Sequence, residues 1–414
     1  MIGLTGEVLE PGMPGYDAAR KPAMARFHHI RPRAVVRCAS TEDVVRTLDI
    51  ARREGIHVVP RGGGHCFAGR SSTEGIVLDL SPLRSVSVSA GVATIGAGAT
   101  LSDVYDELAP HGLTLPAGCG ATVGIAGLTL GGGLGILGRR YGLTCDRLRA
   151  ARVVLADGRV VDCAADREPE LFWALRGAGG GQFGVVTSLV FDPVPAPDAT
   201  RFELIWPRAD AAAVVAAWQE WAPDAPDGLS ANLKITATEV VAFGAMLGTE
   251  SAVPLPPPAT ERMARMPYGE LKRSLATLGS AEPAEPGPVV SKSEFFRRPL
   301  PARAIASLLA SSGEDVELNF TPMGGAYNRV PARESAFVHR TERFLLEHAG
   351  LDAARVRRSW ATVHPWGSGR VYPNFPDPDL TDWARAYHGD NHSRLARVKH
   401  AYDPRRLFRF PQSL

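Results

Sequence analysis

Short apolar runs alternate with capped amphipathic stretches along the first half of the chain, the pattern of mixed strands and helices. Residues 34–37 read as a strand. Ser40 then caps a helix with the apolar stripe Val44, Leu48 and Ala51, with Asp43 in its first turn and Gly55 at its end. Residues 56–59 read as a second strand that Pro60 ends. Residues 76–80 and 92–95 follow as strands. Thr100 caps a helix whose stripe is Leu101, Val104, Tyr105 and Leu108, and Gly112 stops it. Residues 151–156 and 159–163 form a hairpin about Asp157-Gly158, and residues 170–176 form a short helix.

Across Pro193, Pro195 and Pro197 the composition shifts, which places a domain boundary there. Beyond it, strand-like runs (233–236, 240–246) alternate with helical ones (211–221, 302–309, 334–347). Residues 254–258 and 282–288 are rich in proline and read as loops. The division is therefore 1–195, 196–365 and a tail, 366–414.

Three glycine-rich segments carry the candidate chemistry. Arg61-Gly62-Gly63-Gly64-His65-Cys66 follows a strand, and its glycines let the backbone approach something bulky while successive N–H groups face an anion such as a pyrophosphate. Residues 113–138 contain nine glycines and no charge. That run meets the crude length test for a membrane span, yet its glycines and Pro116 make a poor helix. A planar ring lying against bare backbone explains it better. It is not a Rossmann fingerprint, since no strand leads directly into a G-x-G-x-x-G helix start. The third run is residues 177–188.

Charge and cysteines narrow the class. A net charge of +2 over 414 residues gives no reason to expect nucleic acid, and basic runs such as 355–358 are short. The cysteines are odd in number (Cys38, Cys66, Cys119, Cys145 and Cys163) and include no C-x-x-C pair, so neither a disulfide framework nor a metal site is expected. Residues 1–7 lack a basic and apolar leader, so the expected location is the cytoplasm.

Together the segments resemble the berberine-bridge-enzyme-like FAD-linked oxidases of the vanillyl-alcohol-oxidase group. The tail is the most specific part, with Tyr372-Pro-Asn374, residues 387–391, Arg394-Leu395, Lys399, residues 402–404 and Gln412 in the family's order. The resemblance implies an α+β fold: a two-part PCMH-type FAD-binding domain, made of the N-terminal region and the tail, with an inserted α/β substrate domain built on an antiparallel sheet that roofs the flavin. It implies FAD bonded covalently through its 8α-methyl to His65. The implied cofactor cradle is Arg61, Gly62, Gly63, Gly64, His65, Gly118, Val123, Gly124, Gly127, Gly131, Gly132, Gly133, Gly135, Gly184, Val185, Tyr372, Asn374 and Asn391, the asparagines bonding cofactor or backbone. Many members add a cysteinyl tether three residues before the valine. Here that position is Gly120 and the cysteine is Cys119, so a single tether is expected. Gln182 stands where the family has asparagine. Val123 occupies the position associated with oxygen reactivity. Tyr372 matches a tyrosine that serves as base in some relatives, and Glu347 lies near a carboxylate that serves in others. The expected activity is hydride removal from a small alcohol, sugar or amine, a natural-product intermediate, with O2 as acceptor and H2O2 as product. A dehydrogenase or oxidative cyclase using another acceptor, or a flavin protein without turnover, are the alternatives.

Overall fold

The computed structural model describes residues 3–248, 253–276 and 289–414, and among them every sheet but one is built from antiparallel pairs. The exception comes first. Strands β1 (Glu7–Leu9), β2 (Ala34–Arg37), β3 (Val58–Arg61) and β4 (Ile76–Asp79) are ordered β1-β2-β4-β3, with β2 and β3 parallel to β4. The connection between β2 and β3 is the helix Thr41–Glu54. Ser40 Oγ accepts from Asp43 N–H at its start, and Gly55 closes it in the left-handed conformation. Pro60 does not end the strand as expected but lies inside β3. β3 is the edge of its sheet, where a missing N–H costs no ladder bond.

Strands β5 (Val86–Ser89) and β6 (Val92–Gly96) open a second sheet, while β7 (Leu113–Thr114) leaves it to pair with β11 (Val194–Pro195). β8 (Leu148–Val154), β9 (Val160–Ala164) and β10 (Val185–Phe191) complete the order β5-β6-β10-β8-β9. The expected hairpin is β8 and β9. Between β6 and β7, Thr100 and Asp103 form a reciprocal capping box on the helix Leu101–Leu108. A large apolar core joins these two sheets and reaches the tail at Leu395, Val398 and Phe408.

The third sheet has seven strands: β12 (Ala199–Pro207), β13 (Leu229–Ile235), β14 (Glu239–Leu247), β15 (Thr260–Met266), β16 (Val290–Phe296), β17 (Val316–Pro322) and β18 (Phe344–Gly350). Their order is β15-β12-β14-β13-β17-β18-β16. Helices Ala211–Trp221 and Ala302–Ser312 cover one face and bury Trp218, Ile305 and Leu308 against Phe320 and Leu346.

The expected helix over 334–347 is a correction. Residues 330–343 are irregular and 344–350 are β18. Phe344 and Leu346 point into the apolar core while Leu345 and Glu347 point away, a period of two that extended pairing on both sides enforces. The proline-rich run 254–258 lies on the surface near Trp206, whose indole N–H donates to Pro256 and Pro257. The run 282–288 lies outside the described residues.

The tail closes back over the first part of the chain. Lys399 Nζ donates to Asp403 and Phe408 and is bonded to the carbonyl of Gln182, and Arg394 is paired with Glu170. Among the described residues no helix is long and apolar enough to cross a membrane, and all five cysteines are free thiols.

Candidate functional site

Backbone contact between the first two glycine-rich runs forms the floor of the site. A Cβ on Gly63 would lie 2.3 Å from Gly124 N, and a Cβ on Gly124 would lie 2.4 Å from Gly63 N. No side chain fits at either position, so the two loops touch only as glycines. Gly64 turns the chain with φ +75° and brings His65 onto the wall, where its Nε2 lies 2.8 Å from Thr122 Oγ1.

Above this floor is a continuous cavity of about 710 Å³, within the range of small-molecule and cofactor sites. Of the expected cradle, Gly62, Gly63, Gly64, His65, Val123, Gly124, Gly127, Gly184 and Asn374 line it. Glu347 and Ala349 of β18 also line it, with Glu317 and Asn319 on the neighbouring β17 of the third sheet.

Other expected cradle residues lie outside the cavity lining and support it from behind. Arg61 is buried and donates to the carbonyls of Ala19, Arg20 and Ser71, so its guanidinium ties the glycine loop to the N-terminal segment. The carbonyl of Gly118 accepts from Tyr105 and from Lys272 Nζ. Gly131, Gly132 and Gly133 admit Asn374, Phe337 and Thr144 at short range, and Gly135 lies against Ala117 and Tyr327. Val185 is fully buried in the core of the second sheet. Asn391 donates to the carbonyls of Ala332, Ser335 and Ala336, backbone rather than cavity.

Tyr372 also lies behind the wall. It is 2 % exposed, and its hydroxyl oxygen accepts from Gly133 N–H (3.0 Å), Leu134 N–H (3.1 Å) and Asn374 Nδ2 (3.0 Å). Burial pushes the phenol up to about 12, against the lowering effect of these donors. That is the wrong direction for a base at neutral pH, and the oxygen is already committed to backbone.

Glu347 has the opposite character. Burial, its largest influence, pushes its carboxyl up to about 7; Ser291 lowers it, Glu317 raises it, and Asn319 and Lys234 lower it. Ser291 Oγ donates to Oε1 at 2.6 Å, which leaves Oε2 with only a 3.5 Å approach from Asn319 Nδ2. A carboxyl balanced near neutrality can take a proton and return it.

Cys119 turns away from the cavity. Its Sγ lies 3.6 Å from Lys272 Nζ and packs with residues of the third sheet, while Gly120 takes the wall position. Lys272 is itself buried and donates to the carbonyls of Ala117 and Gly118 at 2.6 Å.

Two further wall residues, Arg70 and Ser71, carried no signal in the sequence beyond following the glycine loop. Arg70 Nε and Ser71 Oγ are buried without a hydrogen-bond partner among the described residues, while Arg70 Nη2 donates to Gln412. Arg70 is held by Gln412 and by the Tyr387 and Phe410 rings, so its Nε and the Ser71 hydroxyl, beside bare glycine backbone, are donors of the kind that phosphate oxygens take. Val123, Leu128, Leu130 and Val186 supply apolar wall beyond them. These residues fit FAD.

Comparison with known proteins agrees. Residues 32–164 match the family model described as FAD binding domain, and residues 371–414 match the one described as berberine and berberine like. The uncharacterized FAD-linked oxidoreductase YgaK of Bacillus subtilis (strain 168) is 33% identical, over 99% of this chain and 97% of the relative. (R)-6-hydroxynicotine oxidase of Paenarthrobacter nicotinovorans is 30% identical, over 99% of this chain and 96% of the relative. Among solved structures, BBE-like 1 of Physcomitrella patens superposes with a TM-score of 0.91 at 27% identity, over 99% of this chain and 96% of that one.

Proposed function

From the chain's membership of the berberine-bridge-enzyme-like FAD-linked oxidoreductases, we propose that it is an oxidase in which Glu347 takes the proton of a small alcohol or amine as that substrate is oxidised. Bound FAD supplies the two-electron acceptor. The observation that carries this reading is one continuous cavity lined both by the two glycine loops and by Glu347 of the third sheet.

His65 would hold the cofactor covalently, and Arg70 and Ser71 would offer donors to its phosphates. Cys119 forms no second tether, because its side chain is turned to Lys272. Glu347 receives the substrate's O–H or N–H proton at Oε2, since Oε1 is held by Ser291. Tyr372 supports this arrangement without exchanging a proton, by holding the Gly133–Leu134 backbone. At the third-sheet end of the cavity Lys234 offsets Glu317 and Arg355 offsets Asp315, which leaves Glu314 and the near-neutral Glu347 and disfavours carboxylate and phosphate substrates. The name of the Paenarthrobacter relative, a hydroxynicotine oxidase, is consistent with a nitrogen-containing substrate. Val123 lines the cavity at the position the resemblance associates with oxygen reactivity, which supports O2 as the acceptor and H2O2 as the product. The enzyme works on an intermediate of small-molecule metabolism in the cytoplasm.

The test is anaerobic titration of the yellow holoprotein with a panel of secondary alcohols, sugars, and primary to tertiary amines. An alcohol or amine bleaches the flavin band, and air restores the colour with release of peroxide. Bleaching by none of them, or recovery only with an artificial acceptor, contradicts the oxidase reading.

A further inference from the structure

The third sheet carries a row of polar side chains, of which Glu317, Asn319 and Glu347 reach the cavity wall. Lys234 on β13 stands opposite Asn319 on β17, Asn319 stands opposite Glu347 on β18, and Glu347 stands opposite Ser293 on β16. Glu317, two residues before Asn319, shares its face. The contacts run in sequence. Lys234 Nζ is 2.9 Å from Glu317 Oε2. Asn319 Nδ2 donates to Glu317 Oε1 at 3.0 Å and approaches Glu347 Oε2 at 3.5 Å. The Lys234 and Glu317 side chains are 13% and 25% exposed, so solvent does not screen this pair as it does a surface ion pair.

An ammonium, a carboxylate, an amide and a second carboxylate thus lie in line, with the second carboxylate the innermost. The arrangement is more than an ion pair fixing a sheet. One amide group faces both carboxylates, so a change of charge on Glu317 is felt at Glu347 through a shared neighbour. We propose that Lys234 and Glu317 are positioning residues for Glu347, acting through Asn319 to set how readily that carboxylate takes and gives up a proton. The functional consequence rests on the reading of Glu347 as base; the coupling itself does not.

Other groups facing Glu347 are fewer. Ser291 on β16 is neutral and donates to it. Glu314 and Asp315 lie in the same cavity end, with Asp315 paired to Arg355, and His65 also lines the cavity. The two positioning residues carry opposite charges, and removing them has opposite consequences. Without the lysine cation the Glu347 carboxylate loses an attraction and holds its proton to higher pH. Without the Glu317 charge it loses a repulsion and releases its proton at lower pH.

The test is a pH titration of the holoprotein labelled with δ-13C-glutamate, followed by carboxyl NMR, with Glu347→Gln identifying the resonance by its disappearance. Lys234→Met is expected to move the midpoint up and Glu317→Gln to move it down, each on the order of one pH unit. Lys234→Arg is expected to restore the parent midpoint, and Lys234→Gln gives the same upward shift if the methionine variant does not fold. An unmoved midpoint in both variants, or a shift of the same sign in both, overturns the proposal. No turnover enters this measurement, so its failure leaves the role of Glu347 as base untouched. Conversely, a Glu347→Gln enzyme with undiminished flavin reduction overturns the base and leaves the coupling standing.

Discussion

At Glu347 and Tyr372 the same physical contest has different outcomes. Burial disfavours the charged form of both groups, and hydrogen-bond donors oppose it at both. A carboxyl starting from 4.5 ends near 7, whereas a phenol starting from 10.0 ends near 12. Only the carboxyl lands where proton exchange is useful. Tyr372→Phe therefore removes an acceptor from three donors, one buried and two half-buried. That costs about 1–3 kcal/mol per unsatisfied group, so thermal unfolding is expected at a clearly lower temperature. The pH dependence of flavin reduction is expected to keep its midpoint; a lost limb in that profile returns the base role to Tyr372. His65 is the second residue-scale test. Flavin of the parent is expected to stay in the pellet after acid precipitation, and His65→Ala to release it entirely. Quantitative release from the parent contradicts the tether.

At the scale of elements, the glycine loops are separable into packing and cavity roles. Gly124→Ala places a methyl group 2.4 Å from the Gly63 backbone nitrogen, so the two loops must part. Overpacking of this kind costs about 1–3 kcal/mol, and both apoprotein stability and flavin content are expected to fall. A Cβ on Gly127 meets nothing within 4 Å and faces the cavity. Gly127→Ala is expected to unfold like the parent and to bind flavin less well. Equal effects of the two changes on apoprotein melting contradict the division.

The same scale shows what the sequence made legible. The helices starting at Ser40 and Thr100 were readable because caps, stripes and terminal glycines agree within a few residues. The glycine loops were readable by composition, though which glycines line the cavity and which pack against protein was not. The third-sheet wall was hidden. β18 is short and its apolar residues are contiguous, so a helical period seemed to fit where pairing with β16 and β17 imposes a period of two. A signal was present in β17, where Val316, Leu318 and Phe320 alternate with Glu317, Asn319 and Thr321. Ser291 meets Glu347 across 56 residues, a contact that only strand register creates.

For the whole molecule, buried histidines set the acid limit. Burial holds His348 and His388 down to about 3, from an ordinary value of 6.5. Between those values the unfolded chain binds protons that the folded chain refuses, so stability falls as pH drops from about 6.5 toward 3. Glu347 opposes this in part. Its raised value makes the folded chain the better proton binder between 4.5 and about 7, so its contribution is lost as pH rises through that window. His339, also held well below 6.5 by burial, adds to the histidines, while Glu294 and Glu342, raised by burial, add to Glu347; the histidine shifts are the larger. The urea midpoint is expected to be lower at pH 5 than at pH 7, and His388→Leu to flatten the difference. A midpoint independent of pH, or an unchanged difference in the variant, contradicts the assignment.

The cavity joins these scales, since its two sides come from separate sheets and its chemistry needs both. The most direct measurement is therefore the anaerobic rate of flavin reduction by the best alcohol or amine of the panel, in the parent and in Glu347→Gln. Loss of a general base typically costs about 10²- to 10⁴-fold. The variant is expected to slow on that scale while keeping its flavin and its melting temperature. A Glu347→Gln protein that reduces its flavin within a few-fold of the parent contradicts the central claim.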